Sequence, residues 1–248
     1  MSYKKRSIDP RFRQWKFKPT MLCSGYLSEN GVIIKDSYAI DHLTFNGSYG
    51  KFIGQRMNFQ TMSCFSNENS LIEYNNFVNN CQNLYLSFVE AFYLAHSLEL
   101  LTIYRSEKNK LTIDQFWKMC VDFNDKFLVD YAVYKFFKDR YWVVRSGLNF
   151  GCKYILYKNS PEVCHGNAAV YIMSKCNFDE SDFDTIASRA QQRVLSNVKK
   201  DLIYCYINFI KDEFNVYEKE NLEFIKVTMK GKKARNADRL AKNEIITK

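Results

Sequence analysis

Three side chains in the second half of the chain have the types needed to cleave RNA without a metal ion. His165, the last of three histidines, stands eight residues after Tyr157, and Lys200 follows 35 residues later. In such a reaction a base takes the proton of the 2′-hydroxyl, an acid protonates the departing 5′-oxygen, and a cation stabilises the charge on the phosphate. Histidine suits the acid role because its ordinary pKa is about 6.5. Tyrosine, with an ordinary pKa of about 10, needs a basic neighbourhood to act as the base.

Each of these residues also has a purely structural interpretation. Tyr157 is one of 17 tyrosines, and a tyrosine in a strand commonly has a buried ring. A lone histidine such as His165 is more often structural than catalytic, and Lys200 could complement the dipole at the end of a helix. His165 follows a proline-containing loop between two expected strands, where functional side chains are commonly mounted. His96 falls within an expected helix and His42 in a glycine-rich segment, so both are weaker candidates.

The net charge of +9 is concentrated near the two ends of the chain. Residues 1–18 and residues 226–242 each carry seven Lys or Arg and one Asp. Local positive charge of this kind can neutralise phosphates, although solvated termini would have the same composition. Residues 4–6 are a weak signal for nuclear import.

Composition excludes several classes of protein. Apolar residues make up 46% of the chain, which is too hydrophobic for disorder. The eight cysteines are scattered, without a C-x-x-C motif or a short Cys/His cluster, so neither a zinc site nor a disulfide scaffold is expected. No signal peptide and no apolar run of about 18 residues is visible. We therefore expect free thiols in a reducing compartment, nuclear or cytosolic.

The first half of the chain predicts mainly helices. A strand is expected at residues 31–34 and a surface loop at residues 66–83. Capping boxes at Ser87-x-x-Glu90 and Thr112-x-x-Gln115 begin two helices, the first of which is expected to continue through residues 98–101. A third helix is expected at residues 125–139, with five residues packing inward. These five are Phe127, Leu128, Tyr131, Tyr134 and Phe137.

The second half predicts a mixed sheet with a packed helix, and the fold class is therefore α+β. Strands are expected at residues 141–145 and 150–157, joined at Ser146-Gly147, and again at residues 168–173, 202–210 and 225–227. The acidic residues 178–184 are expected to supply negative charge to the start of the helix. That helix carries an apolar stripe at four-residue spacing, formed by Ile186, Ala190, Val194 and Val198. We expect a basic segment at 1–21, domains at 22–125 and 126–230, and a basic tail at 231–248.

Residues 134–173 resemble the catalytic domain of the tRNA-splicing (tRNA-intron) endonucleases. The family pattern is a W-V-x-x-x-G-x-x-F/Y-G hairpin, an apolar strand ending in Y-x-x-x-P-x-x-x-H, and then R-x-x-x-N-V-x-K-x-L. The matching residues are Trp142, Val143, Gly147, Phe150, Gly151, Tyr157, Pro161, His165, Arg193, Asn197, Val198, Lys200 and Leu202. The apolar pair Ile155-Leu156 precedes the tyrosine.

The resemblance implies a role for each matched polar residue. Tyr157 takes the position of the general base, His165 that of the general acid, and Lys200 that of the cation for the transition state. The N-V-x-K register selects Lys200 rather than Lys199. Arg193 matches one of two residues that clamp the nucleotides at the cut, and its spacing of seven residues predicts that it lies on the same side of a helix as Lys200. No metal and no cofactor is implied.

The second clamping residue, often an Arg or Trp near the C-terminus, has no clear match. No tryptophan occurs in that region, and Lys232, Lys233 and Arg235 are the basic residues that could substitute. Residues 59–85, residues 1–21 and the tail also fit no segment of the family.

Upstream segments refine the resemblance. Residues 86–104 and 111–120 are similar to the family's N-terminal domain, and residues 25–36 and 45–55 are similar to the eukaryotic catalytic subunit that cuts the 5′ splice site. Lys158 after Tyr157 fits this subunit better than its sister, in which Pro-Gly is usual. The implied partners are precursor tRNA, a second catalytic subunit and two structural subunits. The implied products carry a 2′,3′-cyclic phosphate and a 5′-hydroxyl.

Two alternatives remain open. One is the sister subunit that cuts the 3′ site, or a homo-oligomeric enzyme of the archaeal type. The other is a non-catalytic structural or RNA-binding subunit of the same fold, which would have no need of the three catalytic residue types. The expected location is nuclear, with a cytoplasmic site at an organelle surface as the alternative.

Overall fold

The computed structural model describes residues 19–53, 83–161, 164–210 and 217–233, and its mixture of helices and sheets confirms the α+β class. The chain forms two compact units, Met1–Lys135 with Asn215–Lys219 and Phe136–Phe214 with Glu220–Lys248. The expected domain boundary near residue 125 stays a prediction.

Three features expected from the sequence fall largely on residues that the structure does not describe. They are the basic segment at 1–21, of which only residues 19–21 are described, the loop at 66–83 and the tail beyond residue 233.

In its described residues, the first unit contains a six-stranded sheet and four α-helices. Its strands are β1 (Cys23–Ser28), β2 (Gly31–Ile34), β3 (Lys51–Ile53), β4 (Asn83–Ser87), β5 (Leu101–Ser106) and β6 (Asn109–Lys110), in the order β3-β4-β2-β1-β5-β6. Its helices are α1 (Ser37–Phe45), α2 (Phe88–Phe92), α3 (Ile113–Phe123) and α4 (Phe127–Lys138), the last of which runs into the second unit. Strands β1 and β5 are parallel, and the other neighbours are antiparallel. The sequence predicted only β2 of this sheet.

Both predicted capping boxes are confirmed. Ser87 and Glu90 exchange side-chain to main-chain hydrogen bonds at the start of α2, and Thr112 and Gln115 do the same at the start of α3. Such bonds satisfy amides that a helix start otherwise leaves without partners. All five residues expected to pack inward from the third helix, α4, are buried.

The expected continuation of the first helix through residues 98–101 is wrong. A π-helical turn at Tyr93–Ser97 ends it, and Glu99 has a left-handed backbone with φ of 56°. Leu101 instead begins β5, where it pairs with Cys23. The short run Leu98-Glu99-Leu100-Leu101 suits a strand as well as a helix, so periodicity alone did not separate the two.

The part of the second unit that the structure describes contains a five-stranded sheet and one complete α-helix. Its strands are β7 (Val143–Ser146), β8 (Tyr154–Tyr157), β9 (Ala168–Ile172), β10 (Asp201–Phe209) and β11 (Ile225–Lys232), in the order β11-β10-β9-β8-β7. The helix is α5 (Ile186–Asn197), and short 3₁₀ turns lie at Leu148–Phe150, Glu180–Phe183 and Lys219–Phe224. Strands β9 and β10 are parallel, and the other neighbours are antiparallel. All of the predicted strands are present, but Phe150 lies in a 3₁₀ turn rather than in β8.

Helix α5 packs on the sheet through a different face from the predicted stripe. Leu195 is 1% exposed and joins a core cluster with Ile155 and Leu202. The stripe faces outward, because Ile186 is 87% and Val194 50% exposed. Polar contacts help to fix this orientation. The Tyr204 hydroxyl donates to Gln191 at 2.7 Å, and the Gln192 amide donates to the carbonyl oxygen of Phe183 at 3.0 Å.

The acidic segment at residues 178–184 ends directly before the N-cap of α5 and not within the helix. Thr185 caps the helix through the amide of Ser188, and the first helical turn contains no acidic residue. Asp182 is buried instead, where it accepts a hydrogen bond from the Tyr206 hydroxyl at 2.8 Å and pairs with Lys175. The segment therefore anchors the 3₁₀ turn to β10.

Within the four described ranges, none of the helices is both long and apolar enough to cross a bilayer.

Candidate active site

The sheet of the second unit brings Tyr157 and Lys200 to the same edge. Tyr157 is the last residue of β8, and Lys200 immediately precedes β10. Ala168 pairs with Leu156 on one side and with Asp201 on the other. Tyr157, Asn167 and Lys200 each lie one residue beyond these pairs. They are therefore neighbours at one edge of the sheet, although Lys200 is distant from Tyr157 in sequence.

Lys200 reaches this position because α5 ends three residues earlier. Lys199 has a left-handed backbone with φ of 53°, and the amide of Lys200 donates to the carbonyl oxygen of Leu195 at 2.9 Å. A left-handed residue of this kind is a common way to end a helix. The expectation that Lys200 and Arg193 share one side of a helix is therefore wrong, since Lys200 lies outside the helix.

The ammonium group of Lys200 is buried and has one hydrogen-bond acceptor among the described residues. The residue is 6% exposed, and its Nζ donates to the carbonyl oxygen of Gly166 at 3.1 Å. The face of the Phe150 ring lies 5.1 Å from Nζ. Burial lowers the pKa of Lys200. An ammonium group has three protons, so this cation keeps donors for a bound anion.

Cys152 lies beside Lys200 but is not a reactive thiol. Burial raises its pKa to about 11, although main-chain hydrogen bonds and the Lys200 charge act in the opposite direction. Its thiol donates to the carbonyl oxygens of Gly147 and Tyr154, at 3.4 and 3.3 Å. Thiolate is the nucleophilic form of cysteine, so Cys152 is best described as part of the packing. Cys23, Cys120 and Cys205 are buried free thiols as well, whereas Cys164 is half-buried and Cys176 exposed.

Tyr157 does not have the lowered pKa that a tyrosine base needs. Its ring is half-buried against the core cluster, and this burial raises the pKa, while the charge of Arg145 on β7 lowers it. Arg145 pairs with Ile155, two residues before Tyr157 and on the same face of the sheet. No described residue hydrogen-bonds the Tyr157 hydroxyl. The effect of burial outweighs that of the Arg145 charge, so the pKa of Tyr157 is raised.

Gly166 lies between the phenol and the ammonium group. A methyl group added to this glycine would lie 3.3 Å from Tyr157 Cζ, 3.3 Å from Lys200 Nζ and 2.4 Å from Ile155 Cγ2. The absence of a side chain therefore allows the tyrosine and the lysine to face one small space. Sequence reasoning missed Gly166, although a glycine directly after the candidate histidine was a visible signal.

His165 stands next to Gly166 and is exposed. Its ring has no hydrogen-bond partner among the described residues, so it is accessible to a substrate. The other two histidines have structural partners. His42 Nε2 accepts from the amides of Thr20 and Met21, at 3.0 and 3.2 Å, and the His96 ring stacks on Phe92.

Arg193 is exposed on α5. Of the basic residues considered as the opposite clamp, Lys232 is half-buried in β11 opposite Leu202, with its Nζ 5.5 Å from the Phe183 ring. Lys233 is exposed, and Arg235 lies outside the described residues. Within the described ranges, no three His, Cys, Asp or Glu side chains are placed to share a metal ion.

Models of both domains of one protein family match this chain. The tRNA intron endonuclease N-terminal domain matches residues 23–117, and the catalytic C-terminal domain of the same family matches residues 127–221. The chain belongs to the tRNA intron endonuclease family. The resemblance of residues 134–173 is thereby confirmed, and its candidate catalytic residues up to Lys200 lie within the matched catalytic domain.

Individual relatives come from eukaryotes and an archaeon. The chain is 36% identical to rat tRNA-splicing endonuclease subunit Sen2 over 128 residues, which are 50% of this chain and 27% of the relative. It is 30% identical to Arabidopsis thaliana subunit Sen2-1, over 50% of this chain and 52% of the relative. It is 28% identical to the Nanoarchaeum equitans tRNA-splicing endonuclease, over 58% of this chain and 88% of the relative. The chain thus spans about a quarter to a half of the eukaryotic relatives.

Proposed function

We propose that this chain is the catalytic subunit of a tRNA-splicing endonuclease that cuts precursor tRNA at the 5′ splice site. The observation that carries the proposal is the convergence at Gly166. The Lys200 ammonium and the Tyr157 phenol face one space beside the exposed His165, in a chain of the tRNA intron endonuclease family. The preference for the 5′ site rests on the similarity of the upstream segments and on Lys158 after the tyrosine.

The chemistry assigns one task to each side chain. Tyr157 removes the proton of the 2′-hydroxyl, whose oxygen then attacks the adjacent phosphorus. His165 protonates the departing 5′-oxygen, so that the products carry a 2′,3′-cyclic phosphate and a 5′-hydroxyl. Lys200 stabilises the negative charge that develops on the phosphate oxygens, a contribution that is often the largest single one. A positioned base and a positioned acid each contribute about 10²–10⁴-fold in rate.

The raised pKa of Tyr157 shapes this mechanism. Near neutral pH only a small fraction of the residue is phenolate, because burial disfavours the charged form. A phenolate with a high pKa is a strong base, which offsets part of its low population. Arg145 and cations brought by partner subunits would increase that population.

Assembly and location follow from the family resemblance. We propose a hetero-tetramer with a second catalytic subunit and two structural subunits, acting on precursor tRNA in the nucleus. Arg193 would contact the nucleotides at the cut from its exposed position on α5, and the tRNA would be recognised through its shape.

The test uses the full chain assembled with the subunits that copurify with it. His165→Ala should abolish cleavage at the 5′ splice site, leaving the 5′ exon joined to the intron, while the 3′ site is still cut. Asn159→Ala is the matched control in the same loop, since its amide has only a 3.7 Å contact with the Cys164 sulfur among the described residues.

Several outcomes would contradict the proposal. Unchanged cleavage at both sites by His165→Ala would favour a non-catalytic subunit, and loss at the 3′ site alone would identify the sister subunit. Loss of activity in EDTA would indicate a metal-dependent reaction and would contradict the mechanism in which Tyr157 is the base. End-group analysis of the 5′ exon should find a 2′,3′-cyclic phosphate.

A further inference from the structure

We propose that Asn167 is a positioning residue that holds the end of β8, at Tyr157, in register with the start of β10, directly after Lys200. The inference rests on the proposed function, because the two residues that Asn167 aligns are the proposed base and cation. Asn167 is not one of the residues matched to the family pattern, and its role comes from hydrogen bonds alone.

Three hydrogen bonds of Asn167 connect the segments that form the site. Its amide N–H donates to the carbonyl oxygen of Leu156 at 2.7 Å, and its carbonyl oxygen accepts from the amide of Asp201 at 2.9 Å. Its side-chain Oδ1 accepts from the amide of Lys158 at 2.9 Å. The contacted residues are the direct sequence neighbours of Tyr157 and Lys200. A shift of Asn167 would therefore move both functional side chains.

The side-chain bond is the part that depends on an asparagine. Regular pairing of β8 with β9 ends at Leu156 and Ala168, where the two segments separate. Beyond that point Oδ1 of Asn167 takes the place of a main-chain carbonyl and holds the amide that follows Tyr157. Only a short side chain with a terminal acceptor can reach this amide, so aspartate preserves the bond while glutamine carries its oxygen one carbon further out.

The hydrogen bond between Asn167 Oδ1 and the Lys158 amide fixes the position of the end of β8 more than it stabilises the fold. Lys158 is exposed, so its amide can bond to water when the Oδ1 acceptor is lost. The main-chain bonds of Asn167 do not depend on the side chain. A variant at this position should therefore fold, while the end of β8 becomes free to move. Misplacement of a reacting group by about 1 Å can cost about 10²-fold in rate.

The experiment compares Asn167→Ala, Asn167→Gln and Asn167→Asp in the assembled complex with intron-containing precursor tRNA. Single-turnover cleavage with enzyme in excess separates the rate of the chemical step from the Kd for the precursor. We expect the alanine and glutamine variants to lower the chemical rate about tenfold or more with Kd within about twofold. Aspartate should restore the rate to within about threefold of the wild type.

Two results would overturn the proposal. One is an aspartate variant as impaired as the glutamine variant, and the other is an alanine variant with the wild-type chemical rate. Should the alanine variant fail to assemble, the comparison of aspartate with glutamine still decides the question, because both keep a polar side chain. A His165→Ala variant that cleaves at the wild-type rate would contradict the proposed function itself. An inactive His165→Ala variant together with a fully active Asn167→Ala variant would contradict only this inference.

Discussion

The ammonium group of Lys200 donates a hydrogen bond of 3.1 Å to the carbonyl oxygen of Gly166, the residue that directly follows His165. The bond fixes the cation next to the histidine through the main chain, so no further side chain is needed to connect them. A methyl group on the same glycine would lie 3.3 Å from Cζ of the Tyr157 ring. The spacing of the candidate base and the candidate cation thus depends on the size of Gly166.

Gly166→Ala should impair both folding and catalysis. The new methyl would lie 2.4 Å from Ile155 Cγ2, and Ile155 is fully buried and cannot move aside easily. Overpacking of this kind costs about 1–3 kcal/mol, which urea unfolding of the full chain would measure. The chemical rate should fall as well, because the methyl also contacts Tyr157 and Lys200.

Two further variants sharpen that prediction. Ile155→Leu removes the Cγ2 methyl, so the double variant with Gly166→Ala should recover part of the lost stability. Gly231→Ala is the control in β11, where an added methyl meets atoms no closer than 3.7 Å. A Gly166→Ala variant as stable as Gly231→Ala would show that the site is less tightly packed than the structure indicates.

Lys200→Met should strongly reduce activity without loss of stability. Burial lowers the pKa of Lys200 from 10.5, so at neutral pH the folded chain carries the cost of burying a charge. Methionine keeps most of the stem and removes this cost, although it leaves the Gly166 carbonyl without its donor. We expect the free energy of unfolding at pH 7 to stay within about 1 kcal/mol of the wild type or to rise, and the rate to fall about 10²-fold or more.

The pH dependence of the same variant gives a second measurement. Between the lowered pKa of the folded state and 10.5, the unfolded wild-type chain binds more protons at Lys200, so this residue makes stability rise with pH. The methionine variant lacks this contribution. Its free energy of unfolding relative to that of the wild type should therefore decrease as the pH rises. Urea unfolding of both chains at several alkaline pH values tests the sign, and a growing advantage would contradict it.

Local signals in the sequence predicted much of the fold. Neighbouring residues alone determine a capping box or a short apolar strand. The sequence therefore predicted both capping boxes and the strands at Tyr157 and Leu202. The motif around Tyr157, His165 and Lys200 also makes these three residues candidates from the sequence alone. Their assembly around Gly166 depends on strand pairing between distant segments, which no local pattern reports.

The errors had a common physical origin. A four-residue apolar repeat on α5 predicted a packed face, but Leu195 faces the sheet and Val194 does not. Equally, spacing placed Lys200 on the helix of Arg193, although the left-handed Lys199 ends that helix. A prediction from periodicity assumes that the helix is uninterrupted and that its most apolar face packs on the core. Neither assumption holds for α5.

The two adjacent residues on α5 allow a direct check of this correction. Leu195→Ala should destabilise the full chain by about 2–4 kcal/mol, because Leu195 is 1% exposed in the core cluster. Val194→Ala should cost less than about 1 kcal/mol, since half of that side chain is already in water. Equal losses in thermal or urea unfolding would mean that the helix packs through the stripe after all.

Arg145→Met should slow cleavage near neutral pH by shifting the titration of Tyr157. Burial raises the pKa of Tyr157 and the Arg145 charge opposes it, so removing that charge raises the pKa further and reduces the phenolate fraction. The rising limb of the pH–rate profile should move to higher pH. Arg140→Met is the control, since that guanidinium stacks 3.6 Å from the Phe136 ring. A profile that moves equally in both variants would indicate a general charge effect.

Arg193→Ala should weaken substrate binding while leaving the fold intact. The side chain is exposed on α5, and substitutions at such positions usually change stability by less than about 0.5 kcal/mol. A guanidinium stacked on a base contributes about 1–2 kcal/mol, so the Kd for precursor tRNA should rise about 5- to 30-fold. Arg189→Ala is the matched control, because Arg189 is also exposed and lies one helical turn earlier. Filter binding at fixed salt compares them, since both variants lose the same charge and differ only in position. A similar small rise in Kd for both would reduce Arg193 to a general phosphate contact, whereas a large rise for Arg193→Ala alone would support its place at the cut.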